Sequence, residues 1–206
     1  MLELLLVRHG LTEWNKKRIV MGRNPIPLCD EGIKQASQIA KFLENSSPEA
    51  IISSPVLRAY QTAEEIAKFH NSTKVEKHDG LAEIDYGEWV GKTFEDLLKT
   101  DAEVWNTYHH NTIDTILPGG EKLVDTVDRV GNCINDVIER FESGRVILVS
   151  HADVLKIAIY HIMKWPIKTT MPLSVDNCSM ILIRIRKDSE PRLVFYNSLN
   201  GFGNDM

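Results

Sequence analysis

The apolar positions of this chain fall into short dense runs separated by stretches of longer period. Leu2 to Val7 is apolar except for Glu3, the pattern of a strand buried on both faces. From Asp30 to Leu43, apolar side chains at Ile33, Ala36, Ile39, Ala40 and Leu43 trace one stripe of a helix. EAIISSP predicts a second short strand, followed by a helix from about Val56 to His70. Lys74 to Gly91 reads as short extended pieces and turns. Lys92 to His110 reads as one or two short helices before a loop ending in Pro118-Gly119-Gly120. Glu121 to Phe141 predicts a long helix burying Leu123, Val124, Val127, Val130, Ile134, Val137 and Ile138. RVILVS is a third strongly apolar strand, with a helix from Ala152 to Met163 behind it. CSMILIRI and RLVFYNS predict two more strands, antiparallel neighbours at the sheet edge.

Strands alternating with helices of this length imply an α/β fold, with a mainly parallel central sheet and helices on both faces. No repeat, low-complexity tract or linker divides the pattern. Residues 1–206 are therefore expected to form a single domain, with 92–120 as a lid or insertion segment. The length and composition, 206 residues with 43% hydrophobic and 26% charged, suit that expectation. A net charge of −5 argues against a nucleic-acid partner, which calls for a basic surface, but not against a local basic pocket. Cys29, Cys133 and Cys178 are far apart, lack CxxC spacing and read as reduced core thiols. The residues before Arg8 lack the basic and apolar regions of a signal peptide. No run approaches the ~20 apolar residues of a membrane span. A soluble cytoplasmic protein with no membrane partner is expected.

The first strand runs straight into Arg8-His9, two bulky nitrogen bases where turn formers would be ordinary. In a parallel sheet the carboxyl ends share one edge, and ligands of open α/β folds bind outside it. The second strand leads into SSPVLRAYQTA, with Arg58 in the first turn of its helix, and the strand ending at Ser150 leads into His151. Any of these alone is commonplace: a solvated arginine or a hydrogen-bonded core histidine. Together they describe a compact cationic pocket for a phosphate, with helix N-termini adding backbone amides. Two arginines can fork onto phosphate oxygens and stabilise charge during transfer without a metal. A histidine between guanidiniums is expected to have a lowered pKa, and neutral imidazole can accept a phosphoryl group. An alkoxide leaving group then needs a carboxylic acid. Glu83, Asp85 and Glu88 are all available for that part.

LVRHG, TEWN, PLCDEGIKQA, ISSPVLRAYQTA, LAEIDYGEWVG, PGGE and VSHADVLK, in this order and spacing, resemble the histidine phosphatase superfamily, also called the phosphoglycerate mutase-like family. The resemblance covers nearly the whole chain and implies the three-layer sandwich of that family. It implies His9 as nucleophile, Glu83 as general acid/base, and Arg8, Arg58 and His151 as the rest of the phosphate pocket. Asn15 is expected to line the pocket, as is Thr12 through its hydroxyl, and the Ala152 N–H to point at the phosphate. No metal and no cofactor are implied. Several positions depart from the family pattern: Leu11 replaces a common Glu, Ala152 a common Gly, Pro25 an acidic residue, and Lys122 a Ser.

The family holds both phosphatases and bisphosphate-dependent mutases. Mutases resemble one another in placing adjacent arginines and lysines over the site, to hold a second acidic group. Residues 92–120 contain Lys92 and Lys99, no arginine and five acidic residues. Trp105, Tyr108, His109 and His110 give the segment an aromatic, weakly cationic character, whether they pack on the sheet or meet substrate. The two adjacent histidines point apart on a helix and make a poor metal pair. The expected function is a metal-independent phosphomonoesterase for a small phosphorylated metabolite. The alternatives are a phosphoglycerate mutase and, from another class, a non-catalytic phosphate-ligand binding domain. A homodimer is left open.

Overall fold

The computed structural model describes residues 1–70, 73–110 and 112–199. Strands β1 (Leu2–Arg8), β2 (Ala50–Ser53), β3 (Val75–Lys77), β4 (Gly144–Ser150), β5 (Met180–Arg186) and β6 (Ser189–Ser198) form one sheet in the order β3-β2-β4-β1-β5-β6. The neighbours β3-β2, β2-β4 and β4-β1 are parallel, whereas β5 is antiparallel to β1, and β6 to β5.

Helices α2 (Asp30–Phe42) and α3 (Leu57–Ala67) cover one face of the sheet. Helices α6 (Leu123–Arg140) and α7 (Ala152–Met163) cover the other. The alternation along β1 shows why both are needed: Leu5 and Val7 pack with Ala36, Ile39, Ala59 and Ile66, while Leu4 and Leu6 pack with Val130, Ile134, Leu155 and Ile159. Burying both faces removes apolar area worth about 25 cal/mol per Å² from water. The interrupting Glu3 lies between Arg145 at 2.6 Å and Arg184 at 2.9 Å, so its charge is paired.

Short helices α1 (Glu13–Lys16), α4 (Phe94–Thr100), α5 (Ala102–His110) and α8 (Ile167–Thr170) complete the elements. Trp105 and Tyr108 of α5 pack on the fully buried Trp89, with ring centroids 5.6 and 5.9 Å away. Packing thus accounts for both aromatics. The side chain of His110 lies outside the described residues. Among those described, no helix is long and apolar enough to cross a membrane.

Two stripe positions differ from the expectation. Ile33 and Val124 are each 42% exposed. The stripe of α2 runs through Gly32, Ala36, Ile39 and Ala40, and that of α6 through Leu123, Thr126, Val130, Cys133, Ile134 and Val137. Ile33 and Val124 each follow the first residue of a stripe, about 100° round the helix and turned outward. Cys29 likewise is only half-buried at the N-cap of α2, unlike the buried Cys133 and Cys178.

Candidate active site

The topology carries the side chains of interest to one rim. Because β2, β4 and β1 are adjacent and parallel, their carboxyl ends deliver Ser54, His151, Arg8 and His9 side by side. The ladder continues past the strand ends: His9 N–H donates to Ser150 O at 2.9 Å and Ser54 N–H to Val149 O at 2.9 Å. Helix α3 begins just after β2, so Arg58 projects from its first turn. Glu83 arrives from the loop after β3.

His9, Arg58 and His151 are buried, and Glu83 is 8% exposed. Arg58 Nε donates to His9 Nε2 at 3.1 Å, while His9 Nδ1 lies 2.7 Å from the Gly10 carbonyl. The guanidinium can only donate and the carbonyl can only accept, so Nδ1 carries the proton and Nε2 presents its lone pair. Arg58 Nη2 donates to Gly22 O at 2.9 Å and lies 3.6 Å from Glu83 Oε2. Glu83 Oε2 is also 3.6 Å from His151 Nδ1. His151 Nε2 bonds Ser54 Oγ at 2.8 Å. Arg8 Nη1 donates to Val175 O at 2.6 Å. Arg8 Nε and His151 Nδ1 are buried without a hydrogen-bond partner, a cost of about 1–3 kcal/mol each until an acceptor arrives.

Thr12 and Asn15 close a capping box at α1. Asn15 Oδ1 accepts from Thr12 N–H at 3.1 Å, from Thr12 Oγ1 at 3.0 Å and from Asn177 Nδ2 at 3.4 Å. With its oxygen occupied, the Asn15 amide keeps its NH₂ group for other acceptors. The Thr12 hydroxyl accepts from Asn15 N–H at 3.1 Å and lies 3.0 Å from Asn15 Oδ1. Ala152 is the first residue of α7, and N–H groups of a first turn have no intrahelical acceptor.

Several contributors carry no sequence signal. Asn177 donates to His9 O at 3.0 Å, and Arg8 N–H donates to Ser179 O at 3.2 Å. This loop reaches the site because antiparallel β5 starts at the rim where its parallel neighbours end. Arg23 Nε at 2.9 Å and Arg129 Nη2 at 3.2 Å both donate to the Glu83 carbonyl, and both arginines pair with Glu121. The backbone under Glu83 is therefore held by two guanidiniums. Of the other carboxylates nearby, Asp85 accepts from Gly87 N–H at 3.1 Å within its own turn. At Leu11 the structure ties only the backbone, whose N–H donates to Gln35 Oε1 at 3.0 Å and whose carbonyl accepts from Cys29. A Cβ on Gly32 would fall 2.0 Å from that carbonyl, which requires glycine there. Nothing in the structure explains leucine as its side chain. A groove of about 700 Å³ beside Tyr60, Glu64 and Lys74 contains none of the rim side chains.

Burial, and after it the Arg58 and Arg8 guanidiniums, hold His9 well below the usual imidazole range. Desolvation thus outweighs the like-charge effect expected from the sequence, and both favour neutral imidazole. His151 is also held well below that range, by burial first and then by Arg58, His9 and Arg8. Burial pushes Glu83 up to about 7, with Asp153 adding to the rise and Arg58 and Arg8 opposing it. Folded Glu83 therefore binds a proton that the unfolded chain has released between pH 4.5, its ordinary value, and about 7. Stability falls as pH rises through that window. Glu83→Gln removes this loss, so the variant should gain stability relative to the parent by at most about 3 kcal/mol at pH 8. Urea melts at pH 4, 6 and 8 measure it, and an equal difference at all three would contradict a raised carboxyl.

The sequence profile of the histidine phosphatase superfamily (branch 1) matches residues 4–199. A probable phosphoglycerate mutase GpmB of Proteus mirabilis is 33% identical over 181 residues, 87% of this chain and 83% of that protein. Phosphoserine phosphatase 1 of Hydrogenobacter thermophilus is 30% identical over 187 residues, 91% of this chain and 88% of that protein. Among solved structures, a phosphoserine phosphatase mutant of Entamoeba histolytica, in complex with phosphoserine, superposes with a TM-score of 0.85 at 26% identity, covering 97% of this chain and 98% of that one. With its rim of arginines and histidines on a mostly parallel six-stranded sheet, and with similarity along nearly its whole length, this chain belongs to the histidine phosphatase superfamily, branch 1.

Proposed function

We propose that this protein is a metal-independent phosphomonoesterase that hydrolyses a small phosphorylated metabolite through a phosphohistidine on His9. The observation that carries the reading is the state of His9: Nδ1 locked as a donor to Gly10, Nε2 bearing the lone pair, and the ring kept neutral by burial and two guanidiniums. Around it, Arg8 Nε and His151 Nδ1 lack partners that phosphate oxygens would supply. The Asn15 amide and the Ala152 N–H add uncharged donors.

In the first step the Nε2 lone pair forms a bond to phosphorus while the ester oxygen departs with a proton from Glu83. Arg58, Arg8 and His151 stabilise charge on the three non-bridging oxygens. In the second step Glu83, now ionised, takes a proton from water as it attacks phosphorus, and the phosphorus–nitrogen bond breaks. A carboxyl with a pKa of about 7 serves both directions near neutral pH. We read the chain as one domain with 92–120 as a cover on the site, a reading supported by Tyr108 of α5 meeting Asp153 at the head of α7.

Phosphatase chemistry is favoured over the mutase alternative by the lysines of that cover. Lys92 pairs with Asp101 at 3.3 Å and Lys99 with Glu95 at 2.9 Å, so neither is held ready for a second acidic group. The relative from P. mirabilis carries the mutase name, and the two readings are separable. Hydrolysis of p-nitrophenyl phosphate is expected with or without EDTA, and loss of activity in EDTA would contradict the metal-free mechanism. In a phosphate-release screen over metabolite esters, one or a few should stand out. Interconversion of 3- and 2-phosphoglycerate primed with bisphosphoglycerate would establish the mutase instead. Inactivity on every ester would return the protein to the binding-domain class.

A further inference from the structure

Asp153, two residues beyond His151, takes no part in the two chemical steps, yet it gathers three separate segments. Its carboxylate accepts from Tyr86 Oη at 2.8 Å, from Tyr108 Oη and from Lys156 Nζ at 2.9 Å. The two phenol oxygens are themselves 3.0 Å apart. Tyr86 lies in the loop that carries Glu83, Tyr108 lies on α5, and Asp153 and Lys156 lie in the first turns of α7. We propose that Asp153 is a positioning residue of the reaction: it clamps α5 and the Glu83 loop onto the head of α7, and as a buried anion keeps Glu83 protonated until the ester oxygen needs the proton. The inference rests on Glu83 acting as the general acid.

The clamp rests on these hydrogen bonds, and the charge effect on the place of Asp153 two residues beyond His151, whose Nδ1 lies 3.6 Å from Glu83 Oε2. A carboxylate out of water costs several kcal/mol unless its lone pairs are met, and here three donors meet them. Burial and the Asp153 charge raise both phenols well above their ordinary range, so each stays a donor. Burial acts to raise Asp153, but Lys156 and the two hydroxyls overcome it and hold it ionised. Glu83 faces Arg58 of α3 and Arg8 at the end of β1, which favour its ionised form. It also faces His151, held neutral at the head of α7, and Asp153 with the Tyr86 and Tyr108 hydroxyls. Asp153 in turn faces Arg8 besides its three donors. Among these groups Asp153 supplies the negative charge that opposes the two arginines. Without it, Glu83 would ionise earlier and arrive at the ester without its proton.

The test is the Glu83 carboxyl titration, followed by ¹³C NMR in substrate-free protein and assigned by its loss in Glu83→Gln. In Asp153→Asn the midpoint should fall by about one pH unit. The basic limb of kcat/KM on an alkyl phosphate should move down with it, costing about tenfold at pH 8, whereas p-nitrophenyl phosphate should change less than about threefold. A folded Asp153→Asn with an unmoved midpoint overturns the proposal. If that variant does not fold, Tyr108→Phe takes one donor away and keeps both ring and charge. Amide exchange at 102–109 should then speed up about tenfold or more, with no fall of the Glu83 midpoint. Unchanged exchange overturns the clamp. The titration needs no substrate, so a protein inactive on every ester would sink the phosphatase reading and leave this measurement to stand or fall by itself.

Discussion

His9→Ala is expected to lower turnover by at least about 10⁴-fold and to abolish the acid-labile phosphoenzyme. The imidazole has two nitrogens, and the structure leaves only one able to attack: Nδ1 is committed to Gly10 and Nε2 holds its lone pair toward Arg58. Nearby His151 is the competing imidazole, its Nε2 bonded to Ser54 Oγ and its Nδ1 3.6 Å from Glu83 Oε2. Radiolabelled ester followed by a denaturing alkaline quench, which a phosphohistidine survives, separates the outcomes. Label retained on the His9→Ala protein would place the nucleophile elsewhere. Label absent with turnover intact would mean direct attack by water.

Glu83→Gln should cost about 10²–10⁴-fold in kcat/KM on an alkyl phosphate and far less on p-nitrophenyl phosphate. The contrast comes from the leaving groups, since an alkoxide needs the proton and p-nitrophenolate departs without it. The ratio kcat/KM reports only the steps through phosphoryl transfer to His9, so the later role of Glu83 toward water does not blur the comparison. The parent enzyme should lose alkyl-phosphate activity above about pH 7, as the buried carboxyl gives up its proton. Equal losses of Glu83→Gln on both esters would remove Glu83 from the role of acid. Arg58 would then have to be asked whether it merely holds Glu83 as a charge partner, 3.6 Å away.

The centre of the sheet was readable because β1, β2 and β4 are buried on both faces and so appear as nearly continuous apolar runs. Helix ends were readable to within a few residues. The stripes of α2 and α6 were less so. A list of apolar positions cannot say whether Leu123 or Val124 faces the sheet, and packing chose the stripe that reaches down through Thr126 and Cys133. The cationic rim was readable for a topological reason: in a parallel sheet, the residues just after the strand ends all lie along one edge. This covers Arg8, His9, Arg58 and His151. Picking Glu83 over Asp85 and Glu88 needed the family motif, since all three are acidic residues in one turn-rich stretch.

The residues that stayed hidden are those that arrive by another route. Asn177 lies 168 residues from His9, and Val175 lies 167 from Arg8. They reach the site because β5 runs against its neighbours, so its beginning, not its end, meets the rim. Arg23 and Arg129 fasten the Glu83 backbone from a loop and from α6, and Asp153 joins Tyr86 to Tyr108 across three segments. By itself, the sequence determined the α/β sheet and the cationic character of its rim, because those depend on short apolar runs and on residues next to strand ends. The tertiary structure alone decided which nitrogen of His9 lacks a proton, how far burial raises Glu83, and which distant side chains hold the Glu83 backbone. Proton positions and pKa values depend on desolvation and on neighbours brought close by folding, and neither is written in the local order of residues.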